Sequence, residues 1–151
     1  MKRRDAQSAR VYAWEEEAVV PYGRAPVPFT AVQGMVDAVW AEMGLRWPPK
    51  VEPLPAQARR LQGTGSRLAL RLPDPVPTFL LFHELAHALS SSADGGTDGH
   101  GPRFVGLYLQ LLTRYLRLPE DGLLRSLEAH RVVVDRAAEP AFLTDGPSRS
   151  S

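Results

Sequence analysis

A chain of 151 residues, 44% apolar and 23% charged, has the size and balance of one globular domain with its own core. Its net charge of +1 gives no strong electrostatic signal for nucleic acid. It has no cysteine, which excludes disulfides, thiolate metal ligands, a zinc ribbon and a cysteine nucleophile.

The basic residues are arginines apart from Lys2 and Lys50. With the abundant Ala, Gly and Pro, that bias reads as genomic composition rather than as a phosphate site. No apolar run approaches the roughly 20 residues needed to cross a bilayer. The basic stretch at Met1–Asp5 is not followed by the apolar segment of a secretory signal, so a cytoplasmic protein with no membrane partner is expected.

Residues 1–9 are polar and read as a disordered N-terminus, and residues 10–136 as a single domain. Val11-Tyr12-Ala13-Trp14 reads as a short strand, and Glu15-Glu16-Glu17 after it as a solvated face. Pro21 to Pro28 reads as a loop. A helix is expected from Ala31 to Met43, with Thr30 as N-cap, Gln33 closing a capping box and Gly44 as the stop. Val32, Met35, Val36, Val39, Trp40 and Met43 fall on its inner stripe.

Val51 to Leu54 reads as a proline-marked edge strand, and Gln62 to Ser66 as a turn that lacks the pattern of a phosphate loop. Arg67 to Leu72 alternates with period two, which places Leu68, Leu70 and Leu72 on one face of a strand. A second helix is expected from Phe79 to Ser90, capped by Thr78 and apolar on most sides, hence buried. After a Ser/Gly/Asp loop, a third helix opens at Pro102 and runs to Leu116, and a fourth covers Pro119 to Arg136. Residues 137–151 read as a disordered tail.

The second helix carries His83-Glu84-Leu85-Ala86-His87. Histidines four residues apart on a helix share a face, one turn apart, and both can reach one zinc ion. The glutamate between them is placed to take a proton from an activated water. A buried helix also requires such groups to be partnered. The competing reading is a pair of core histidines bonded to backbone or carboxylate.

A hydrolytic zinc site needs a third protein ligand and an open fourth position. His100 stands thirteen residues after His87, between Gly99 and Gly101, and Pro102 fixes the turn that follows. Asp94 and Asp98 are the alternatives, although aspartates in such loops commonly form turns. His130 reads as a surface or half-buried residue beside Glu128 and Arg131. Tyr108 reads first as core, with oxyanion stabilisation as its alternative role.

H-E-L-A-H-A-L, a short polar loop and then G-H-G-P-R-F resemble the SprT-like zincin metallopeptidases. The chain is also similar to small metallohydrolases of actinobacteria and their phages, with Arg10-Val11-Tyr12-Ala13-Trp14-Glu15 resembling their N-terminal region. The resemblance is specific from His83 to Phe104 and architectural elsewhere. It implies an α+β, zincin-like (minimal metalloprotease) domain with a short sheet packed on the H-E-x-x-H helix. It implies Zn2+ held by His83, His87 and His100, Glu84 as catalytic acid/base, and a peptide or protein substrate. Arg103 stands where many of these proteases have glutamate, and the chain has neither a cysteine zinc ribbon nor a DNA-binding segment, so their role on DNA-crosslinked proteins is not carried over. A zinc hydrolase acting on a non-peptide amide, and a binding module with structural zinc, are the rival functions.

Overall fold

The computed structural model describes residues 5–55 and 63–144. Within them the chain is α+β, as expected, with six α-helices and two small sheets.

The first helix corrects the N-terminal reading. α1 spans Ser8–Ala18, so Val11 to Trp14 is helix rather than strand. Val11, Trp14 and Glu15 are buried and Ala18 half-buried, which is the i, i+3, i+4, i+7 stripe of a helix packed on one side. Four residues are too few to tell a strand from a helix. Nor are the described residues just before α1, 5–7, frayed; residues 1–4 lie outside the described set. Gln7 is buried, its Nε2 donates to the carbonyls of His100 and Val133, and its Oε1 accepts from the Val133 amide.

The proline-rich stretch after α1 holds a 3₁₀ turn, Val20–Tyr22, and β1, Pro26–Val27. α2 spans Phe29–Glu42. Its N-cap is Pro28, and the expected box of Thr30 and Gln33 does not form. Gln33 instead accepts from the Val51 amide and donates to the Pro49 carbonyl, which ties α2 to β2, Lys50–Pro53. The stop at Gly44 stands as expected. Its φ is +75°, and the bonds from Leu45 N to Trp40 O and from Gly44 N to Ala41 O form a Schellman motif.

β3, Thr64–Gly65, and β4, Ala69–Leu72, complete a sheet of order β2-β4-β3, with β2 parallel and β3 antiparallel to β4. Leu70 and Leu72 face the core, whereas Leu68 lies before the strand and is exposed. The turn expected at Gln62 to Ser66 is in part strand β3; Gln62 lies outside the described residues. β5, Val76–Pro77, pairs antiparallel with β1 and leads into α3, Thr78–Leu89. Thr78 is not a cap: its hydroxyl donates to the Ala25 carbonyl.

α3 is buried around nearly its whole circumference, packed on α4, Pro102–Tyr115, on one side and on the sheet on the other. A short sheet therefore does pack on the H-E-x-x-H helix. α5 spans Glu120–Ala129, shorter than the expected run to Arg136. Arg131 takes φ +60° where a glycine would mark the stop, and Arg131 N to Glu128 O with Val132 N to Leu127 O close a second Schellman motif. The following segment returns over α4, where Asp135 N donates to Pro102 O.

The segment from Ala137 is likewise ordered up to α6, Ala141–Thr144; residues 145–151 lie outside the described set. Ala138 and Ala141 are buried, Phe142 stacks on Trp40 at 5.6 Å, and the Arg67 guanidinium lies over both rings.

Gly106 marks the closest approach of α4 to this returning segment, because any Cβ there would overlap the Asp135 carbonyl oxygen. Gly106→Ala is therefore expected to lower stability by about 1–3 kcal/mol, the usual scale of overpacking. A urea midpoint equal to wild type would disprove that contact.

Candidate metal centre

α3 presents His83 and His87 from one face, with ring centroids 5.0 Å apart. His100 approaches from the loop before α4, at 4.7 Å from His87 and 5.4 Å from His83. One ring nitrogen from each histidine lies within 4.8 Å of the others, and His87 Nε2 to His100 Nε2 is 3.2 Å. A tetrahedral ion with metal–nitrogen bonds of about 2.0–2.1 Å separates its nitrogens by about 3.3 Å. The three histidines named from the sequence are thus brought together, and the group can hold a metal ion.

What orients them comes from the N-terminal segment. Glu15 Oε2 is 2.6 Å from His83 Nδ1 and accepts the Tyr108 hydroxyl at 2.5 Å. Asp5 Oδ2 is 2.6 Å from His100 Nδ1 and accepts the His100 amide at 2.7 Å. A carboxylate on Nδ1 holds the proton there and leaves the Nε2 lone pair for a metal, the usual arrangement around ligating histidines. Carboxylate partners would also suit core histidines; the convergence of one nitrogen from each of three rings within 4.8 Å is the structural reason to read the cluster as able to hold a metal.

The loop glycines serve this geometry. Gly99 has φ +65°, and a Cβ there would lie 2.7 Å from Asp5 Oδ2, so only glycine lets the carboxylate reach both donors of His100. Asp94 and Asp98 are turn formers here. Asp94 accepts from Ser92 Oγ, and Asp98 Oδ2 accepts the Arg103 amide at 2.8 Å where α4 begins. Among the described residues, neither joins the histidine group.

Phe104 is fully buried and touches all three imidazoles, stacking on His87 at 4.3 Å. Burial, with His83 and His100 adding to it, pushes His87 well below the ordinary histidine pKa. Burial also lowers His100, against the opposing pull of Asp5. Burial disfavours charge on His83 too, but the Glu15 hydrogen bond and the Glu15 and Glu84 carboxylates carry its pKa above the ordinary value. A neutral imidazole is the form that binds metal.

Glu84 is buried beside the histidines. Burial, reinforced by Glu15 and opposed by His83, raises it from 4.5 to about 7. β3 lies directly against it. A Cβ at Gly65 would overlap the Glu84 carbonyl, and one at Gly63 would meet Glu84 Cγ and Oε2 at 3.3 Å. Two glycines that read as turn residues are thus the positions that let an edge strand close on the candidate base.

Three polar residues at the site were not singled out from the sequence. Glu15 is buried although it reads as part of a solvated face with Glu16 and Glu17, which are exposed as expected. Its signal was helical: it falls on the apolar stripe with Val11, Trp14 and Ala18. Asp5 and Tyr12 gave no comparable signal. Tyr12 lies over the His83 and His100 rings, and burial followed by Glu84, Glu15 and Asp5 raises its pKa. Tyr108 is core, as first read, with its hydroxyl committed to Glu15. His130 sits at the end of α5 against Glu17, away from the centre. No helix among the described residues is long and apolar enough to cross a membrane.

Comparison with protein-family models, with curated proteins and with solved structures finds no match for this chain.

Asp5→Asn and Glu15→Gln are each expected to weaken zinc binding roughly 10- to 100-fold, measured by competition with a chromophoric chelator, while His130→Ala leaves it unchanged. Wild-type affinity in both carboxylate variants would refute their orienting role. A second expectation concerns protein stripped by a chelator. The folded pKa of Glu84, about 7, lies above its ordinary 4.5, so the stability it contributes in acid is lost as pH rises through 7. Glu84→Gln cannot ionise, so its urea stability relative to wild type should grow between about pH 5 and about pH 8. A difference independent of pH would contradict the burial-driven shift.

Proposed function

We propose that this chain is a zinc-dependent hydrolase of the SprT-like zincin kind, cleaving amide bonds, with peptide or protein as substrate. The observation that carries this reading is the placement of Glu84: a buried carboxyl held near neutrality, on the same helix as two of three converging histidines. Acid–base catalysis near neutral pH calls for that tuning.

His83, His87 and His100 would hold the ion through their inward-facing nitrogens. When bound, the ion supplies Lewis acidity, lowering the pKa of water and polarising a carbonyl. Glu84 takes a proton from the attacking water and later returns it to the leaving amine. Glu15 and Asp5 keep His83 and His100 in the right tautomer throughout. Phe104 and the apolar faces of α3 and α4 exclude solvent from the interior side.

Zinc is favoured over harder ions because three imidazoles suit it and offer nothing to an oxygen-seeking cation. Support for a peptide comes from the H-E-L-A-H and G-H-G-P-R-F segments and from β3. That strand is at the sheet edge and touches Glu84, so an extended chain pairing with it would pass the base. A binding module with closed, structural zinc is disfavoured, since Asp94 and Asp98 are engaged in turns.

The test is hydrolysis of a mixture of quenched-fluorescent peptides by the zinc-loaded protein. Glu84→Gln should keep one zinc per chain and lose activity at least 100-fold, within the range assigned to general acid–base groups. Full activity in that variant would sink the mechanism. His100→Ala should lose zinc, and unchanged zinc content would remove His100 from the ligand set.

A further inference from the structure

One side chain on the solvent side of the histidine cluster is unused by the chemistry above. Tyr12 stands three residues before Glu15 on α1 and so shares its helix face. Its ring stacks on His83 at 5.9 Å and 14°, and lies 4.9 Å from His100. Phe104 flanks the same two rings but is fully buried, whereas Tyr12 is 50% exposed. Phe104 is therefore the interior wall of the cluster and Tyr12 the wall that an incoming molecule meets.

The other tyrosines are spoken for or distant. The Tyr108 hydroxyl binds Glu15, that of Tyr115 binds Glu42, and Tyr22 lines a groove between α1 and α5. Among the described residues, nothing accepts a hydrogen bond from the Tyr12 hydroxyl. The helix that carries it is held by Glu15 on His83, by Trp14 Nε1 on Ser126 Oγ, and by Gln7 at its start. A phenol on so constrained a helix is a donor whose orientation costs little at the moment of reaction.

We propose that Tyr12 is a catalytic residue that hydrogen-bonds the carbonyl oxygen of the scissile amide as negative charge gathers on it. The assignment rests on the hydrolase reading above. A phenol is protonated at neutral pH, and its hydrogen bond strengthens when the acceptor is charged. The hydrogen stays on Tyr12. Water oxygen bonds to the carbonyl carbon first, its proton passing to Glu84 and the carbonyl electron pair to the oxygen that faces Tyr12. The carbonyl then re-forms as the carbon–nitrogen bond breaks and Glu84 returns that proton to the leaving amine, with no other reactant. Tyr12 thus fills the oxyanion role for which Tyr108 is unavailable.

The test uses cobalt(II)-substituted protein titrated with acetohydroxamate, with binding read from the visible cobalt absorption. Tyr12→Phe keeps the ring against His83 and His100. It should retain one cobalt per chain and the wild-type melting midpoint, yet bind acetohydroxamate roughly 10-fold more weakly, the scale of one hydrogen bond to a charged group. On the zinc protein and the peptide mixture, kcat should fall about 100-fold or more with KM little changed. Equal acetohydroxamate affinity in wild type and Tyr12→Phe would overturn the Tyr12 assignment and leave the hydrolase reading standing. Loss of cobalt from Tyr12→Phe would overturn it in favour of a packing role. No spectral response in wild type would overturn the open metal position, and with it the hydrolase reading.

Discussion

The bond between a buried carboxylate and the far nitrogen of a histidine is the constraint on which this molecule is organised. Three imidazoles packed face to edge inside an apolar shell repel one another when charged and lose hydration when neutral. Glu15 and Asp5 resolve that conflict for two of them by fixing the proton on the outer nitrogen. The same two contacts dock the N-terminal segment, and Tyr108 adds a donor to Glu15 so that its buried charge has two partners. Removing either carboxylate would disturb the centre and the seat of α1 together, because the imidazole N–H left behind loses its acceptor.

The candidate base is controlled from the other side. Glu84 has the sheet on one flank and the histidines on the other, and Gly65 of β3 with Gly63 just before it set how closely backbone can approach it. Its proton affinity is therefore a property of packing: the nearness of β3 keeps water away and raises it, while His83 limits the rise. On the proposed hydrolase reading, a peptide pairing along that edge would dry the carboxyl further, so binding and acid–base tuning would be linked through one strand.

What the sequence made legible was what short-range periodicity encodes. The α3 motif, the inner stripe of α2, the Gly44 stop, the proline that opens α4 and the choice of His100 all depend on neighbours within a few turns. The failures share a different cause. Glu15 reads as solvated until its helix is known, since burial of one glutamate among three depends on His83, sixty-eight residues away. Asp5 carries no local sign of its bond to His100. α5 seemed longer because Arg131 adopts the conformation normally marked by glycine, and the tail seemed unstructured because its order comes from Trp40 and Arg67. Which histidines converge was legible locally, whereas the orientation of their rings is set by tertiary contacts.

Gln7 shows where that leads in time. Its amide joins the loop at His100 to the segment at Val133, 93 and 126 residues away along the chain. α3 can form early from its own neighbours, but the frame that aims two of the cluster's three imidazoles, His83 and His100, is complete only when residues near both ends of the described chain have met. Contacts of such separation form late and slowly. A nascent or partly folded chain would therefore carry His83 without its tautomer fixed and His100 unplaced, and the group able to hold a metal would be completed at the last stage of folding rather than seed its first.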